Sequence, residues 1–148
     1  MWEYVRQKLQ PRIPEDVQQD LEKAVQLIIQ QEVPIDEIKL FGSLHTGKWK
    51  RGQSDIDLAV FLAMDDYRYS CYNRVVTLWT DDGDGQVPAW DVENQDRQKF
   101  RNDVQNHPTL IFQYQLHILT PSDAQRISEE NSHFFQAMKY GRLLYKCN

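Results

Sequence analysis

The chain has 148 residues, a length that suits a single domain with one hydrophobic core. We therefore predict one domain over residues 1–148. Hydrophobic residues make up 41% of the sequence and charged residues 26%, which is ordinary for a soluble globular protein and argues against a disordered chain. The formal net charge of -5 argues against a broad nucleic-acid-binding surface, because such a surface needs a basic face.

The sequence also predicts a compartment. Cys71 and Cys147 are too few for a disulfide framework, so we expect free thiols in a reducing cytoplasm. No apolar run is long enough to span a bilayer, and the N-terminal segment MWEYVRQKLQ lacks the apolar core of a signal peptide. A cytoplasmic protein with no membrane partner is therefore expected.

The first readable element is an amphipathic helix. Pro14 is suited to its first position, and apolar residues recur every three or four positions from Val17 to Ile28. We predict that the helix runs to about Gln31 and stops before Pro34, since proline does not continue a helix. We expect this helix to serve packing only.

The stretch that follows contains the residues with recognisable chemistry. A short apolar strand, Ile38 to Phe41, is predicted to end at the Gly42-Ser43 turn, and a short helix from Ser43 to about Lys50 comes next. A second strand is predicted from Asp55 to Leu62. Its nearly continuous apolar run is typical of a strand that is covered on both faces.

Asp55 and Asp57 lie at the start of this second strand, on either side of Ile56. Alternate residues of a strand point to the same face, so the two carboxylates are predicted to lie side by side. Such a pair forms the all-oxygen site that Mg²⁺ prefers. At Gly42-Ser43, free backbone N–H groups at a helix start favour an anion. A phosphate-binding turn beside a metal-binding pair indicates chemistry on nucleotide phosphates.

The rest of the chain is predicted to alternate helices and strands. In chain order we predict a helix from Asp65 to Thr80, a brief strand at Trp90-Asp91-Val92, a polar helix from Gln95 to Gln105, a strand from Thr109 to Leu119, a helix start at Thr120-Pro121-Ser122-Asp123, a last helix capped by Ser132 and ended by Gly141, and an edge strand in the LLYK tail.

The whole pattern resembles the signature of the DNA polymerase β-like nucleotidyltransferase superfamily. That signature is an apolar residue, Gly-Ser, a spacer and then Asp-apolar-Asp-apolar, here Phe41-Gly42-Ser43 and Asp55-Ile56-Asp57-Leu58. The C-terminal part, with Leu119-Thr120-Pro121 and a phenylalanine-bearing helix before Gly-x-x-Leu-Tyr, is similar to the end of small bacterial members. The resemblance implies an α/β (α+β) fold, with a small mixed β-sheet and helices mainly on one face.

In this superfamily a nucleoside triphosphate binds with its phosphates against the Gly-Ser turn, and an acceptor attacks the α-phosphate. Three carboxylates hold two divalent ions that stabilise the entering and leaving oxygens. The resemblance therefore implies that Gly42 and Ser43 bind the nucleotide and that Asp55 and Asp57 are catalytic Mg²⁺ ligands. It implies transfer of a nucleoside monophosphate from a triphosphate, with ATP expected, to a hydroxyl of a protein, an RNA or a small molecule.

One departure from the family pattern concerns the third carboxylate. It is expected on a later strand shortly before Leu-Thr-Pro, where the equivalent residue is Gln115, which has no charge and is a poor base. Asp91 or Glu93 is the alternative, if the brief strand at Asp91 is the neighbouring one. With no third acid, we expect one metal ion and slow or absent turnover.

The second departure is Thr46, where many relatives have an arginine. Lys48 or Arg51 is the candidate triphosphate contact in its place, with solvated surface charge as the alternative for both. Small family members often pair with a HEPN-type helical protein in toxin–antitoxin modules, so the resemblance implies such a partner or a homodimer. The competing functional hypothesis is a catalytically weakened nucleotide-binding or interaction module.

No histidine is assigned a catalytic or metal-binding role from the sequence. His45 lies inside the motif but is expected on the side of a helix. His107, His117 and His133 show no metal-ligand spacing with one another or with a cysteine, so no zinc site is predicted.

Overall fold

The computed structural model of the protein describes residues 13–72, 75–76, 91–92 and 94–148. Five α-helices, one 3-10 helix and six strands occur in this part of the chain. In chain order they are α1 (Glu15–Ile29), β1 (Ile35–Phe41), α2 (Ser43–Thr46), β2 (Ile56–Leu62), the 3-10 helix (Tyr67–Tyr69), β3 (Val75–Val76), β4 (Asp91–Val92), α3 (Gln95–Gln105), β5 (Tyr114–Leu119), α4 (Pro121–Glu130), α5 (Ser132–Lys139) and β6 (Arg142–Lys146).

Four strands form one mixed sheet in the order β5-β2-β1-β6. β1 is antiparallel to both β2 and β6, whereas β2 and β5 are parallel. A parallel pair needs a crossover connection, and the chain between β2 and β5 supplies it. The end of β1 therefore meets the starts of β2, β5 and β6 at the same end of the sheet. β3 and β4 pair with each other in a separate two-stranded sheet.

Both faces of the four-stranded sheet are covered by helices. On one face, Leu21 of α1 lies in the same core as Leu58 of β2, and α3 packs there too. On the opposite face, Ile127 of α4 and Met138 of α5 pack against Ala59 of β2. The predicted mixed α+β class is confirmed. Helices were expected mainly on one face of the sheet, but they cover both faces. Both faces attract helices because β2 is apolar at both its odd and its even positions.

The predicted helix from Asp65 to Thr80 is wrong for the described part of that stretch. A 3-10 turn and strand β3 occupy it, and the remaining positions lie outside the described residues. The Asp123 carboxylate accepts hydrogen bonds from the Ser70 hydroxyl (2.5 Å) and the Cys71 backbone N–H (3.0 Å). These bonds hold the segment after the turn to the start of α4, so no helix continues there.

The strand predicted from Thr109 begins later, at Tyr114. The backbone N–H groups of Ile111 and Phe112 donate to the buried Asp20 carboxylate, over 2.9 and 3.1 Å. Those N–H groups are therefore engaged by a side chain of α1 instead of a neighbouring strand.

Two helix ends also differ from the prediction. The helix after Ser43 stops at Thr46, because Gly47 adopts a left-handed conformation with φ 85°. The last helix is capped by Asn131, whose side chain accepts from the backbone N–H of Phe134, and not by Ser132.

The remaining predicted elements are present, but β1 begins at Ile35, three residues before the predicted Ile38, and Trp90 of the predicted brief strand lies outside the described residues. The first helix begins after Pro14, and α3 has the predicted bounds. Thr120 and Asp123 form a reciprocal capping box at the start of α4. β6 is an edge strand, as predicted for the tail. In the described part of the chain, no helix combines the length and apolar character needed to cross a bilayer.

Candidate active site

The candidate site lies where β1 ends beside the start of β2. Phe41 pairs in register with Asp57, which places Gly42 next to the Asp57 side chain. Gly42 has φ 77° and ψ -154°, a backbone conformation that is open essentially to glycine alone. A Cβ at this position would collide with the Asp57 carboxylate. The structure therefore brings the Gly-Ser turn into direct contact with one member of the acidic pair.

Ser43 begins α2 immediately after this turn. The buried Leu44 anchors α2 in the core, and Ser43 remains partly exposed. Among the described residues, none hydrogen-bonds to the Ser43 hydroxyl, so this group can donate to a ligand. The Ser43 carbonyl accepts from the backbone N–H groups of Lys48 and Trp49, which closes the end of the short helix.

The loop from α2 to β2 is held by its own hydrogen bonds. The indole Nε1 of Trp49 donates to the carbonyl of Ser54 over 2.9 Å, and the Ser54 hydroxyl accepts from the backbone N–H of Lys50 over 3.1 Å. Ser54 directly precedes Asp55, so these bonds determine where β2 and its acidic pair begin.

Asp55 and Asp57 differ in exposure. Asp55 is exposed and lies one position before β2, whereas the Asp57 side chain is 28% exposed and Ile56 between them is fully buried. This alternation places the two acids on the side of the strand away from Ile56. Carboxylate oxygens are hard ligands of the kind that Mg²⁺ takes in proteins, and two carboxylates lie here at the start of β2.

His117 also reaches this site, and sequence reasoning assigned it no role. Its Nε2 lies 3.4 Å from Oδ1 of Asp57. In the parallel register of β2 and β5, Gln115 is opposite Asp57 and His117 is opposite Ala59. No local spacing in the sequence identifies His117, because it lies 60 residues from Asp57 in the chain. Only the register of β2 and β5 brings the two side chains together.

The position predicted for the third carboxylate holds the amide of Gln115, which is exposed beside Asp57. The alternative Asp91 depended on its strand being the neighbour of β2. The strands beside β2 are β1 and β5, and the Asp91 strand pairs with β3. The other alternative, Glu93, lies outside the described residues.

The side chains at the site offer few ligands for a metal ion. Within the described ranges, no group of three or more His, Cys, Asp or Glu side chains is arranged to hold an ion. Mg²⁺ is commonly bound by one or two carboxylates together with substrate phosphates. Asp55 and Asp57 therefore suit one such ion, whereas Gln115 adds no charge for a second.

Of the two predicted cationic contacts, Arg51 is engaged elsewhere. Its guanidinium donates to both carboxylate oxygens of Asp16, over 2.7 and 3.2 Å, and lies over the rings of Trp49 and Phe112. The hydrogen bond from Arg51 lowers the pKa of Asp16, and the same bond raises the pKa of Arg51. Lys48 is exposed directly after α2.

A further cation, Arg142 at the start of β6, contacts α2. Its Nε donates to Nδ1 of His45 over 2.7 Å, and a terminal nitrogen donates to the His45 carbonyl over 3.3 Å. Burial, with a smaller contribution from the Arg142 charge, lowers the pKa of His45. The neutral imidazole accepts the arginine bond, so this contact fastens α2 to the sheet.

A comparison with protein families places this arrangement among known domains. The family model described as "Nucleotidyltransferase domain" matches residues 22–143, a range that includes the Gly-Ser turn, the acidic pair and all of β5. The comparison with curated proteins found no significant match, and the comparison with solved structures found none either.

Proposed function

Since this chain belongs to the nucleotidyltransferase domain family, we propose that it moves a nucleoside monophosphate from ATP to an acceptor hydroxyl in a Mg²⁺-dependent reaction. The observation that supports this proposal best is the contact between Gly42 and the Asp57 carboxylate. It places a turn that suits phosphates directly beside a side chain that suits a divalent ion.

Each residue of the turn and the pair has a role in this proposal. Gly42 has no side chain, so a triphosphate can approach the backbone closely, and the Ser43 hydroxyl donates to a phosphate oxygen. Asp55 and Asp57 hold the ion. Bound Mg²⁺ would neutralise charge that develops on the phosphoryl oxygens. Lys48 is the nearest exposed cation after α2 and assists with phosphate charge.

The acceptor is proposed to be a hydroxyl on a protein, an RNA or a small molecule. Family resemblance supports a protein partner of HEPN type, or a second copy of this chain, that completes the acceptor side of the site. The net charge of -5 favours a protein or small-molecule acceptor over a long nucleic acid.

The test uses ATP labelled at the α-phosphate, Mg²⁺ and a panel of acceptors, with released pyrophosphate and labelled product as readouts. Wild-type protein is expected to release pyrophosphate and label an acceptor, and Asp57→Asn is expected to do neither. The matched control is Asp103→Asn, which makes the same change at a carboxylate on α3 that pairs with Lys99. Equal transfer by wild type and Asp57→Asn would contradict the proposal.

Gln115 favours a second candidate function, a nucleotide-binding module with weakened catalysis. An amide beside Asp57 cannot act as a charged ligand or as a base. In this case, wild-type protein binds ATP without releasing pyrophosphate, and Gln115→Glu is expected to restore release by adding a carboxylate. Gln125→Glu on the exposed side of α4 adds the same charge away from the site and serves as the control.

A further inference from the structure

We propose that His117 is a positioning residue for Asp57, which holds the carboxylate in the orientation that binds a divalent ion. The inference deepens the proposed function and rests on it, because it takes Asp57 to be a metal ligand. It goes beyond that function by assigning a role to a residue outside the motif and to the aromatic contacts around it.

His117 and Asp57 lie on adjacent strands of the sheet. β2 and β5 are parallel, and His117 is opposite Ala59, two register positions inward from the pair Asp57 and Gln115. Ala59 is fully buried and small. Positions 57, 59, 115 and 117 share one face of the sheet, because alternate residues of a strand point the same way. The small side chain of Ala59 leaves room for the imidazole to lean toward Asp57.

Aromatic packing fixes the His117 imidazole. The His117 ring makes an edge contact with Phe41 at 5.1 Å between centroids and another with Phe134 at 5.5 Å. Phe41 and Phe134 also touch each other at 5.9 Å. Phe41 belongs to β1 and Phe134 to α5, so the ring is held from the sheet and from the covering helix. A ring held on two sides has little freedom to turn away from Asp57.

The Asp57 carboxylate has a neighbour at each of its oxygens. Oδ2 of Asp57 lies against Gly42, where a Cβ of that residue would stand. Oδ1 of Asp57 lies 3.4 Å from Nε2 of His117. The separation is long for a hydrogen bond, and catalytic hydrogen bonds often tighten when ligand binds. With a neighbour at each oxygen, rotation of the carboxylate plane is restricted. Partners that orient a metal ligand typically change metal affinity 10–100-fold when they are removed.

Orientation of Asp57 by His117 does not replace the charge that is missing at position 115. The family pattern places a third carboxylate at this part of the sheet, and here the neighbouring strand supplies an amide and an imidazole. We assign the His117 imidazole the role of orienting Asp57, and not the role of binding the ion. The reason is that the described residues contain no three-ligand cluster of His, Cys, Asp or Glu.

The test measures Mn²⁺ binding directly, by the electron paramagnetic resonance signal of free Mn²⁺ and by calorimetry, with no turnover required. His117→Phe keeps an aromatic ring for Phe41 and Phe134 but removes the donor, and it is expected to weaken Mn²⁺ binding by about tenfold or more. His117→Gln keeps an N–H donor at a similar reach and is expected to retain most of the affinity. A purely structural role predicts the opposite order, since the glutamine loses the ring contacts.

Control variants separate this inference from the proposed function. Asp57→Asn is expected to abolish Mn²⁺ binding; if it binds as well as wild type, the proposed metal pair is wrong and the inference is wrong with it. If Asp57→Asn loses the ion while His117→Phe binds it as wild type does, only the positioning role is overturned. Should His117→Phe fail to fold, His117→Asn replaces it, because its shorter amide cannot reach Asp57 and the same loss is expected.

Discussion

At the scale of single residues, Gly42 is under two constraints that act independently. Its backbone lies in a region that other residues rarely adopt, and the Asp57 carboxylate occupies the place where a Cβ would stand. The first constraint concerns only folding. The second connects folding to function, because the group that a side chain would displace belongs to the candidate metal pair.

Gly42→Ala is therefore expected to lower the free energy of unfolding by about 2–6 kcal/mol, the sum of backbone strain and overpacking. Nucleotidyl transfer is expected to fall about 100-fold in the protein that remains folded, since small displacements in a site have effects of that order. Urea unfolding and pyrophosphate release measure the two effects.

Gly52→Ala is the matched control for this prediction. Gly52 also has a positive φ, 76°, but a Cβ there would meet nothing within 4 Å. We expect only the backbone cost of about 1–2 kcal/mol and no loss of transfer. If the two alanine variants behave alike, contact with Asp57 is not what requires glycine at position 42.

At the scale of elements, α2 is a single short turn that gains its fixed position from its neighbours. The buried Leu44 holds it to the core, and the Arg142–His45 contact holds it to β6. An isolated helix of this length is unstable by itself, so the position of the Gly-Ser turn depends on these tertiary contacts.

The His45 contact predicts a pH dependence. Burial and the Arg142 charge lower the pKa of His45 from its ordinary 6.5, so below about pH 6.5 the unfolded chain takes up this proton more readily than the folded chain. The stabilisation that neutral His45 contributes is fully present above about pH 6.5. It is lost as the pH falls through the lowered pKa of His45 in the folded chain. His45→Asn is expected to remove this part of the acid destabilisation, as measured by urea unfolding between about pH 5 and about pH 8.

The control for this prediction is His133→Asn, which removes an exposed imidazole from α5. We expect the pH profile of this variant to follow the wild type. An unchanged profile in His45→Asn would show that protonation of His45 does not weaken the attachment of α2.

At the scale of the whole molecule, Asp20 links α1 to the entry of β5. It is 1% exposed and accepts from the Ile111 and Phe112 backbone and from the Tyr114 hydroxyl, the last over 2.8 Å. The start of β5 determines which of its residues lies beside Asp57. A carboxylate far from the site in sequence therefore contributes to its geometry.

Tyr114→Phe is expected to lower the free energy of unfolding by about 1.5–3 kcal/mol, because the removed hydroxyl donates to a buried carboxylate. Burial, and then the bond to Asp20, raises the pKa of Tyr114 above its ordinary 10. Above about pH 10 the unfolded chain loses this proton while the folded chain retains it, so stability falls as pH rises. That fall is expected to be shallower in Tyr114→Phe.

Urea unfolding at about pH 8 and above about pH 10 measures both effects. Tyr67→Phe, at a residue that is 69% exposed, is the control and is expected to change neither value. Identical alkaline profiles for wild type and Tyr114→Phe would exclude the buried hydroxyl as the source of the pH dependence.

Much of the fold and the centre of the site were predictable because their determinants are local. The apolar period of α1, the near-continuous apolar run of β2 and the capping residues at Thr120 act over a few positions. The same is true of Gly42, Asp55 and Asp57, whose types and spacing fit a turn followed by a strand. Local sequence therefore determined the mixed α+β class and the motif that belongs to the nucleotidyltransferase family.

Only the tertiary structure decided which distant residues surround that motif. The parallel register of β2 and β5 brings His117 to Asp57, and β6 brings Arg142 to His45. Asp123 and Asp20 override local propensity by taking backbone N–H groups that the patterns assigned to a helix and a strand. Strand register and buried carboxylates act between residues far apart in the chain, and no local period encodes such pairings.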